Sequence, residues 1–335
     1  MACVSLGRET RERWNPIQSH DPIPDRVGAV IVGGGFGGVA AAKALSGANI
    51  EVVVVDRENY HLFQPLLYQV ASAALAPSDI AVPVRWLLRR QRNARVLMAA
   101  VREVVPAERT LVLEDGQALT YDYLVLAAGG RHSYFGHDVW EARAPGLKTL
   151  SDAVEVRHRF LSAFERAERC SDSTERQALM TFVIVGGGPT GVELAGIMVS
   201  VARRAFVRDF RAIDTRRTRI VLVEAGPRLL PTFRQRLSLR ALRDLSALGV
   251  EVRLGSAVTA IDGDGVSLGS ERIPCRTVFW AAGNRASGLA TSLGAPLERN
   301  GQVRVLSDLS VPGWPEIFVV GDMALVESAS GQPVP

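Results

Sequence analysis

Lysine is nearly absent from this 335-residue chain: Lys43 and Lys148 are the only two, so its positive charge is almost all arginine. Cysteine is scarce as well. Cys3, Cys170 and Cys275 are scattered and never form a C-x-x-C pair. That excludes a disulfide framework and a cysteine-built zinc site, and it points to a reducing compartment. The five histidines, His20, His61, His132, His137 and His158, show no metal-ligand spacing, and no catalytic triad stands out. The opening stretch MACVSLGRETRERWNPIQSHDPIPD is polar and lacks the apolar segment of a secretory signal. The longest uncharged glycine- and alanine-rich stretch, 27–42, falls short of the ~20 residues a membrane span needs, so no segment is expected to cross a bilayer.

What is present bounds the answer further. An apolar share of 47% is enough for a full core, and the length suits about two domains. The formal charge of +4 is mildly basic. The arginines at 203, 204, 208, 211, 216, 217 and 219 read as a solvated face. Aromatic residues do not interleave with them in the manner of a nucleic-acid platform, so no nucleic-acid partner is expected.

The chain repeats itself. VGAVIVGGGFGGVAAAKALSG, then IEVVVVD, then YDYLVLAAGG is answered by MTFVIVGGGPTGVELAG, then RIVLVEA, then RTVFWAAGN. Gly33 to Gly129 spans 129 − 33 = 96 positions, and Gly186 to Gly283 spans 283 − 186 = 97. The pattern is a duplicated α/β unit. Each copy begins with an aliphatic run expected to form a buried parallel strand. A glycine turn follows, then a small-residue helix over Val39–Leu45 or Val192–Ser200, then a second strand ending on Asp56 or Glu224. Alternating runs around Asp115-Gly116 and Gly263–Gly265 predict an antiparallel meander inserted in each copy. The fold class is therefore α/β, with two Rossmann-like dinucleotide-binding domains. A further apolar strand, PEIFVVGDMA, follows the second unit, which suggests that the chain returns to complete the first. The expected division is a polar tail over 1–26, a first domain over 27–148 and 295–335, and a second over 149–294.

Gly33-x-Gly35-x-x-Gly38 lies between a strand and a helix, where a dinucleotide fingerprint belongs. Its glycines permit the tight turn, the approach of a pyrophosphate and close helix–strand packing, and the helix start supplies free N–H groups. Asp56 is placed to accept from a ribose hydroxyl. Gly186-x-Gly188-x-x-Gly191, with Glu224, meets the same test. An acid at that position repels a 2′-phosphate, so NADH is expected over NADPH. Arg228, four residues on, works against that preference. Two such folds in one chain imply two dinucleotides, one resident and one exchanging, and hydride transfer between a nicotinamide and a flavin fits.

Taken together, VIVGGGFGG, HLFQPLLYQVASAAL, YDYLVLAAGG, HSYFGHDVWE, FVIVGGGPTGVELAG, VLVEAGPRLLP, WAAGNRAS and IFVVGDMA resemble the type II NADH dehydrogenases, single-subunit NADH:quinone oxidoreductases. The glycine loops belong to a wider flavoprotein superfamily, and HLFQPLLYQ and HSYFGHDVWE carry the narrower assignment. The resemblance implies FAD on the first unit, at Gly33, Gly35, Phe36, Gly37, Gly38, Asp56 and Arg57. It adds the backbone of Val101 at the adenine, Gln64 and Pro65 near the flavin ring, Ala128 and Gly129, and Gly321 and Asp322 at the ribityl chain. It implies NADH on the second unit, at Gly186, Gly188, Pro189, Thr190, Gly191, Glu224, Ala282 and Gly283.

Reduced flavin would pass electrons to a membrane quinone without pumping protons, from a peripheral seat on the cytoplasmic face of the cell membrane. A homodimer is compatible with the resemblance. Ala127-Ala128-Gly129 departs from the Ala-Thr-Gly frequent in the family. The resemblance also implies a quinone-site helix and an amphipathic membrane anchor beyond the last residue, Pro335, and neither is in this sequence. Disulfide reductases and sulfide:quinone oxidoreductases need cysteines that this chain lacks. A ferredoxin- or rubredoxin-type reductase, and a redox sensor that binds FAD and NADH, stay open.

Glu193 corresponds in the repeat to Ala40, so the fingerprint does not require an acid there. An acid in a first helical turn also suits the helix dipole. In the superfamily the equivalent glutamate points toward the nicotinamide–flavin contact, which makes Glu193 the candidate catalytic residue.

Overall fold

The structure is a computed structural model that describes residues 26–327. Most of the polar N-terminal tail, with Cys3 and His20, and residues 328–335 lie outside the described residues.

In the first unit, β1 (Arg26–Val32) runs into α1 (Phe36–Ala44) and on to β2 (Val52–Asp56). The antiparallel pair β3 (Tyr60–Leu62) and β4 (Ala81–Pro83) brackets α2 (Leu67–Ala71), and α3 (Val84–Leu88) leads into β5 (Ala94–Met98). The meander consists of β6 (Val101–Val105), β7 (Thr110–Leu113) and β8 (Ala118–Leu126), with the β7–β8 turn at Asp115-Gly116. The sheet runs β5-β2-β1-β8, all parallel. Four valines of β2 are buried, as a central strand covered on both faces requires. Helix α1 begins at Phe36 rather than Val39. The turn is so tight that Gly37 and Gly38 already lie within the helix, at the expense of helix propensity.

The chain leaves this unit along β9 (Gly130–His132). Tyr134, Trp140 and Ala144 then pack on the second unit beside Val183, Val185 and Trp280. Next come α4 (Leu150–Arg169), closed by a Thr149–Asp152 capping box, and α5 (Ser173–Leu179). The second unit repeats the first: β10 (Thr181–Val185), α6 (Pro189–Ser200), β11 (Arg219–Val223), α7 (Gln235–Leu248) and β12 (Glu251–Arg253). Its meander is β13 (Ala260–Ile261), β14 (Gly265–Leu268) and β15 (Glu271–Pro274), before β16 (Thr277–Trp280). The order β12-β11-β10-β16 matches β5-β2-β1-β8. A π-helical turn, Val201–Ala205, extends α6 and is followed by short 3₁₀ turns. These insertions account for the longer path from Gly186 to Glu224.

The chain returns along β17 (Asn284–Ala286), antiparallel to β9. Ala290 and Leu293 then pack on the first unit's core. After β18 (Val303–Arg304) and β19 (Ser310–Val311), β20 (Trp314–Val319) joins β8 in parallel and extends the first sheet. The last strand, β21 (Ala324–Leu325), pairs with β18.

Two features tie the units together. One is the β9–β17 ribbon. The other is a shared core in which Leu67, Val70 and Ala71 of α2 pack with Val156 and Phe160 of α4 and Leu194, Ala195 and Met198 of α6. The family-particular segment HLFQPLLYQ thus leads directly into the joint.

Tyr121, 1% exposed, has no hydrogen-bond partner for its hydroxyl among the described residues. Burial, reinforced by Glu316 and opposed by Arg109, pushes its pKa from 10.0 up to about 12. Tyr121→Phe removes an unsatisfied buried group and is expected to stabilise the chain by about 1 kcal/mol. A higher denaturation midpoint checks this, and a lower one counts against it. The folded state holds that proton more tightly, so the wild-type chain should lose stability as pH rises above 10.0 toward about 12. The variant should escape that loss.

Candidate active site

The first crevice opens at the carboxyl ends of β1, β2, β8 and β20, where open α/β sheets take ligands. Gly33 has φ +107°, and a side chain there would run into the carbonyl of Ala127. A side chain on Gly38 would strike the carbonyl of Gly33. Nothing lies within 4 Å of a Cβ built on Gly35, so the loop's central glycine faces open space. It is the N-cap of α1 and supplies no side-chain cap, and the first turn holds no acid. The N–H groups at the start of α1 are thus left for an anion.

The cleft measures about 380 Å³. Gly33, Gly35, Phe36, Gly37, Asp56 and Arg57 line one part, and Val101, Ala128, Gly129, Gly321 and Asp322 another. Gln64 reaches its rim, while Gly38 and Pro65 do not line it. Gly38 instead lets helix and strand close up beneath the loop.

The acid at the end of the second strand has a definite partner set. Asp56 accepts from the Gly34 N–H through Oδ2 and from the Glu58 N–H through Oδ1, the latter at 2.7 Å. Glu224 does the same in the second unit: it accepts from Gly187 N–H at 2.6 Å and from Gly226 N–H at 2.6 Å. In both copies the acid clasps the glycine loop, and each carboxylate oxygen keeps a lone pair for a further donor.

Four residues gather where the two units meet. The Lys148 ammonium lies 3.6 Å from Asp322 Oδ2, and the Asn284 amide donates to the same oxygen at 3.3 Å. Gln64 Nε2 donates to the Lys148 carbonyl at 3.3 Å. No sequence motif marks Lys148 or Asn284 as a site residue. Lysine rarity was the available signal for the first, and position next to the A-A-G run for the second. His61 sits against the loop with Nδ1 2.9 Å from the Gly34 carbonyl, and its ring is edge-on to Phe36. His132 meets Asp152, the acid of the α4 capping box, at 3.2 Å.

The second crevice lies at the ends of β10, β11 and β16. Gly186 has φ +115°, and a side chain there would meet the backbone of Ala281 and Ala282. Gly188 caps α6 without a side-chain bond, Pro189 takes the first helical position, and Thr190 and Gly191 follow in the first turn. Gly191 would strike Gly186, as Gly38 would strike Gly33. Gly283 ends the A-A-G run with φ +70°. Arg228 donates to the carbonyls of Phe233 and Pro231.

Glu193 is exposed on α6 and makes no hydrogen bond or ion pair among the described residues. Partial burial alone pushes its pKa up. Cys170 and Cys275 are free thiols. Cys275 is buried, and burial pushes its pKa up to about 11, which leaves it unreactive. Among the described residues no group of side chains is arranged to hold a metal, and no helix is long and apolar enough to cross a membrane.

Known proteins share this arrangement. The pyridine nucleotide-disulphide oxidoreductase family matches residues 28–333. The type II NADH:quinone oxidoreductase Ndh of Mycobacterium tuberculosis is 44% identical over 320 residues, 92% of this chain and 69% of its own. NdhA of the same organism, also named a type II NADH:quinone oxidoreductase, is 44% identical over 315 residues, 90% of this chain and 67% of its own. The chain thus spans about two thirds of these relatives' length. Among solved structures, NDH2 from Plasmodium falciparum in complex with NADH has the same fold, with a TM-score of 0.82 at 23% identity over 90% of this chain and 65% of its own. With a family match over almost all of the described residues and relatives this similar, the chain belongs to the pyridine nucleotide-disulphide oxidoreductases and, within them, to the type II NADH:quinone oxidoreductases.

Proposed function

We propose that the first crevice holds FAD, that the second takes NADH, and that electrons pass from NADH through the flavin to a membrane quinone without proton pumping. The observation that carries this reading is the duplicated device: an uncapped helix start behind a glycine turn, with an acid clasping the turn and facing a crevice. Both crevices fit a dinucleotide by that test. When bound, FAD would supply hydride acceptance and electron transfer, chemistry that no side chain of this protein can supply.

The chain's residues bind and orient. The N–H groups at the start of α1 and α6 face the pyrophosphates, and the helix dipole favours them. Asp56 and Glu224 accept ribose hydroxyls with the lone pairs their clasps leave free. Glu224 also disfavours a 2′-phosphate, and Arg228, held by two carbonyls, is not free to offset it. Asp322, steadied by Lys148 and Asn284, accepts from the ribityl hydroxyls. Gly129 and Gly283 let the cofactors approach the strand ends, with Ala128 and Ala282 beside them, and the Val101 backbone serves the adenine. Glu193 has no charged partner, and desolvation raises its pKa above that of an ordinary glutamate, which suits it to hold or pass a proton at its carboxyl.

The expected FAD part, 27–148 and 295–335, and NADH part, 149–294, have their bounds moved to the β9–β17 ribbon, because Tyr134, Trp140 and Ala144 pack on the second unit and Ala290 and Leu293 on the first. The protein acts as a peripheral membrane enzyme on the cytoplasmic face, where the quinone is reached, and a homodimer is in keeping with this architecture.

Stopped-flow mixing of the FAD-loaded chain with NADH should bleach the flavin, and a quinone, rather than a ferredoxin, should restore its colour. Recovery with ferredoxin alone would favour the soluble reductase, and failure to bleach would favour the sensor. Glu224→Ala should weaken NADH binding by about tenfold or more, the cost of a charge-assisted hydrogen bond, and narrow the margin over NADPH while FAD content stays constant. Equal NADH affinity by titration would count against the assignment of Glu224. Glu193→Gln should keep FAD yet slow turnover and remove an inflection that lies above the usual carboxylate range. A pH–rate profile unchanged between about pH 5 and 9 would remove Glu193 from the mechanism.

A further inference from the structure

Phe135 is the most exposed aromatic residue among those described, at 68%. Two other aromatic residues of the same loop are anchored. Tyr134 and Trp140 are buried, with ring centroids 5.0 and 5.7 Å from Trp280, and the Tyr134 hydroxyl donates to the Ala144 carbonyl at 2.8 Å. Phe135 turns outward, with φ +53°, a left-handed conformation that bulky residues rarely adopt, and Gly136 follows at φ +90°. The turned-out ring rests on Gly283: a Cβ built there would stand 2.8 Å from the ring's Cζ. A side chain at 283 is thus doubly excluded, by the ring and by the Ser133 carbonyl at 2.6 Å.

The sheet order shows which part of a ligand passes this point. Glu224 follows β11, the glycine loop follows β10, and Gly283 follows β16, and these three strands are adjacent in that order. A dinucleotide whose adenosine ribose meets Glu224 and whose pyrophosphate meets Gly186–Gly191 must carry its nicotinamide half past Gly283. Beyond Gly283 the chain enters β17 and leads to the first unit, where the flavin is expected.

We infer that Phe135 is the outer wall of the nicotinamide half of the site, its exposed ring packing against that half and excluding water from it. The inference rests on the proposed NADH reading and adds a specificity-determining residue to it. An aromatic face restrains a planar ligand ring and desolvates it, and here the strained backbone presents that face before the ligand arrives.

Calorimetric titration of the FAD-loaded protein tests this with NAD⁺, which cannot reduce the flavin, and with ADP-ribose, which lacks the nicotinamide. Phe135→Ala is expected to weaken NAD⁺ binding roughly five- to tenfold and to leave ADP-ribose binding and FAD content unchanged. Phe135→Tyr should restore NAD⁺ binding to about the wild-type level, as the retained ring face requires. An unchanged NAD⁺ affinity in Phe135→Ala, or an equal loss for ADP-ribose, would overturn the inference while leaving the NADH site in place. Failure of the wild-type protein to bind either ligand would bring down the NADH reading, and this inference with it.

Discussion

The pairing of two crossing strands is the constraint on which the arrangement of this molecule depends. β9 carries the chain out of the first unit and β17 carries it back, and they run antiparallel as a two-stranded ribbon. The ribbon extends into both crevices. The Gly129 carbonyl accepts from the Ser287 N–H at 3.1 Å, and the Gly283 carbonyl accepts from the Ser133 N–H at 3.4 Å. Each A-A-G terminus is therefore fixed by the strand that serves the other unit. A two-stranded ribbon is marginal by itself, and the α2–α4–α6 core supplies the burial that holds it. Two sites that must exchange electrons are kept in one register by hydrogen bonds between their own end residues.

The electrostatics of the crevices follow from what the backbone leaves unpaired. A helix start without a side-chain cap would ordinarily be a weakness, because up to four N–H groups go unsatisfied. Here both starts are open, and the carboxylates of the following strands take loop amides rather than helix amides. The loops are held while the helix ends stay free for phosphate. The lysine that reaches this region does so at the far side, against Asp322, where its charge leaves Glu193 unneutralised.

Much of this was legible in the sequence. Glycine spacing and strand-terminal acids are local signals, and the repeat doubled them, so the positions of Gly33, Asp56, Gly186 and Glu224 at two crevice mouths could be read directly. The return of Trp314–Val319 to the first sheet was legible because a buried strand after a complete unit has nowhere else to pair. The helix starts were less so, since Gly37 and Gly38 hide the first turn of α1 from any propensity argument. The meeting of Lys148, Asn284 and Asp322 brings together residues far apart in the chain, and no local pattern encodes it. The same holds for Phe135, whose backbone angle is imposed by the anchoring of Tyr134 and Trp140 on either side. The lack of a basic partner for Glu193 also became visible only in three dimensions.

The clasps on the two loops carry one more consequence. Asp56 and Glu224 differ by a methylene, and they lie 56 − 33 = 23 and 224 − 186 = 38 positions beyond the first glycine of their loops. Even so, each bonds the second glycine of its loop and the amide two residues further along its own chain. The halves of this protein differ in length, in side chain and in insertions, yet the same two backbone amides are bonded in each. What the two units share is a bonding pattern, and a longer or shorter acid serves it equally.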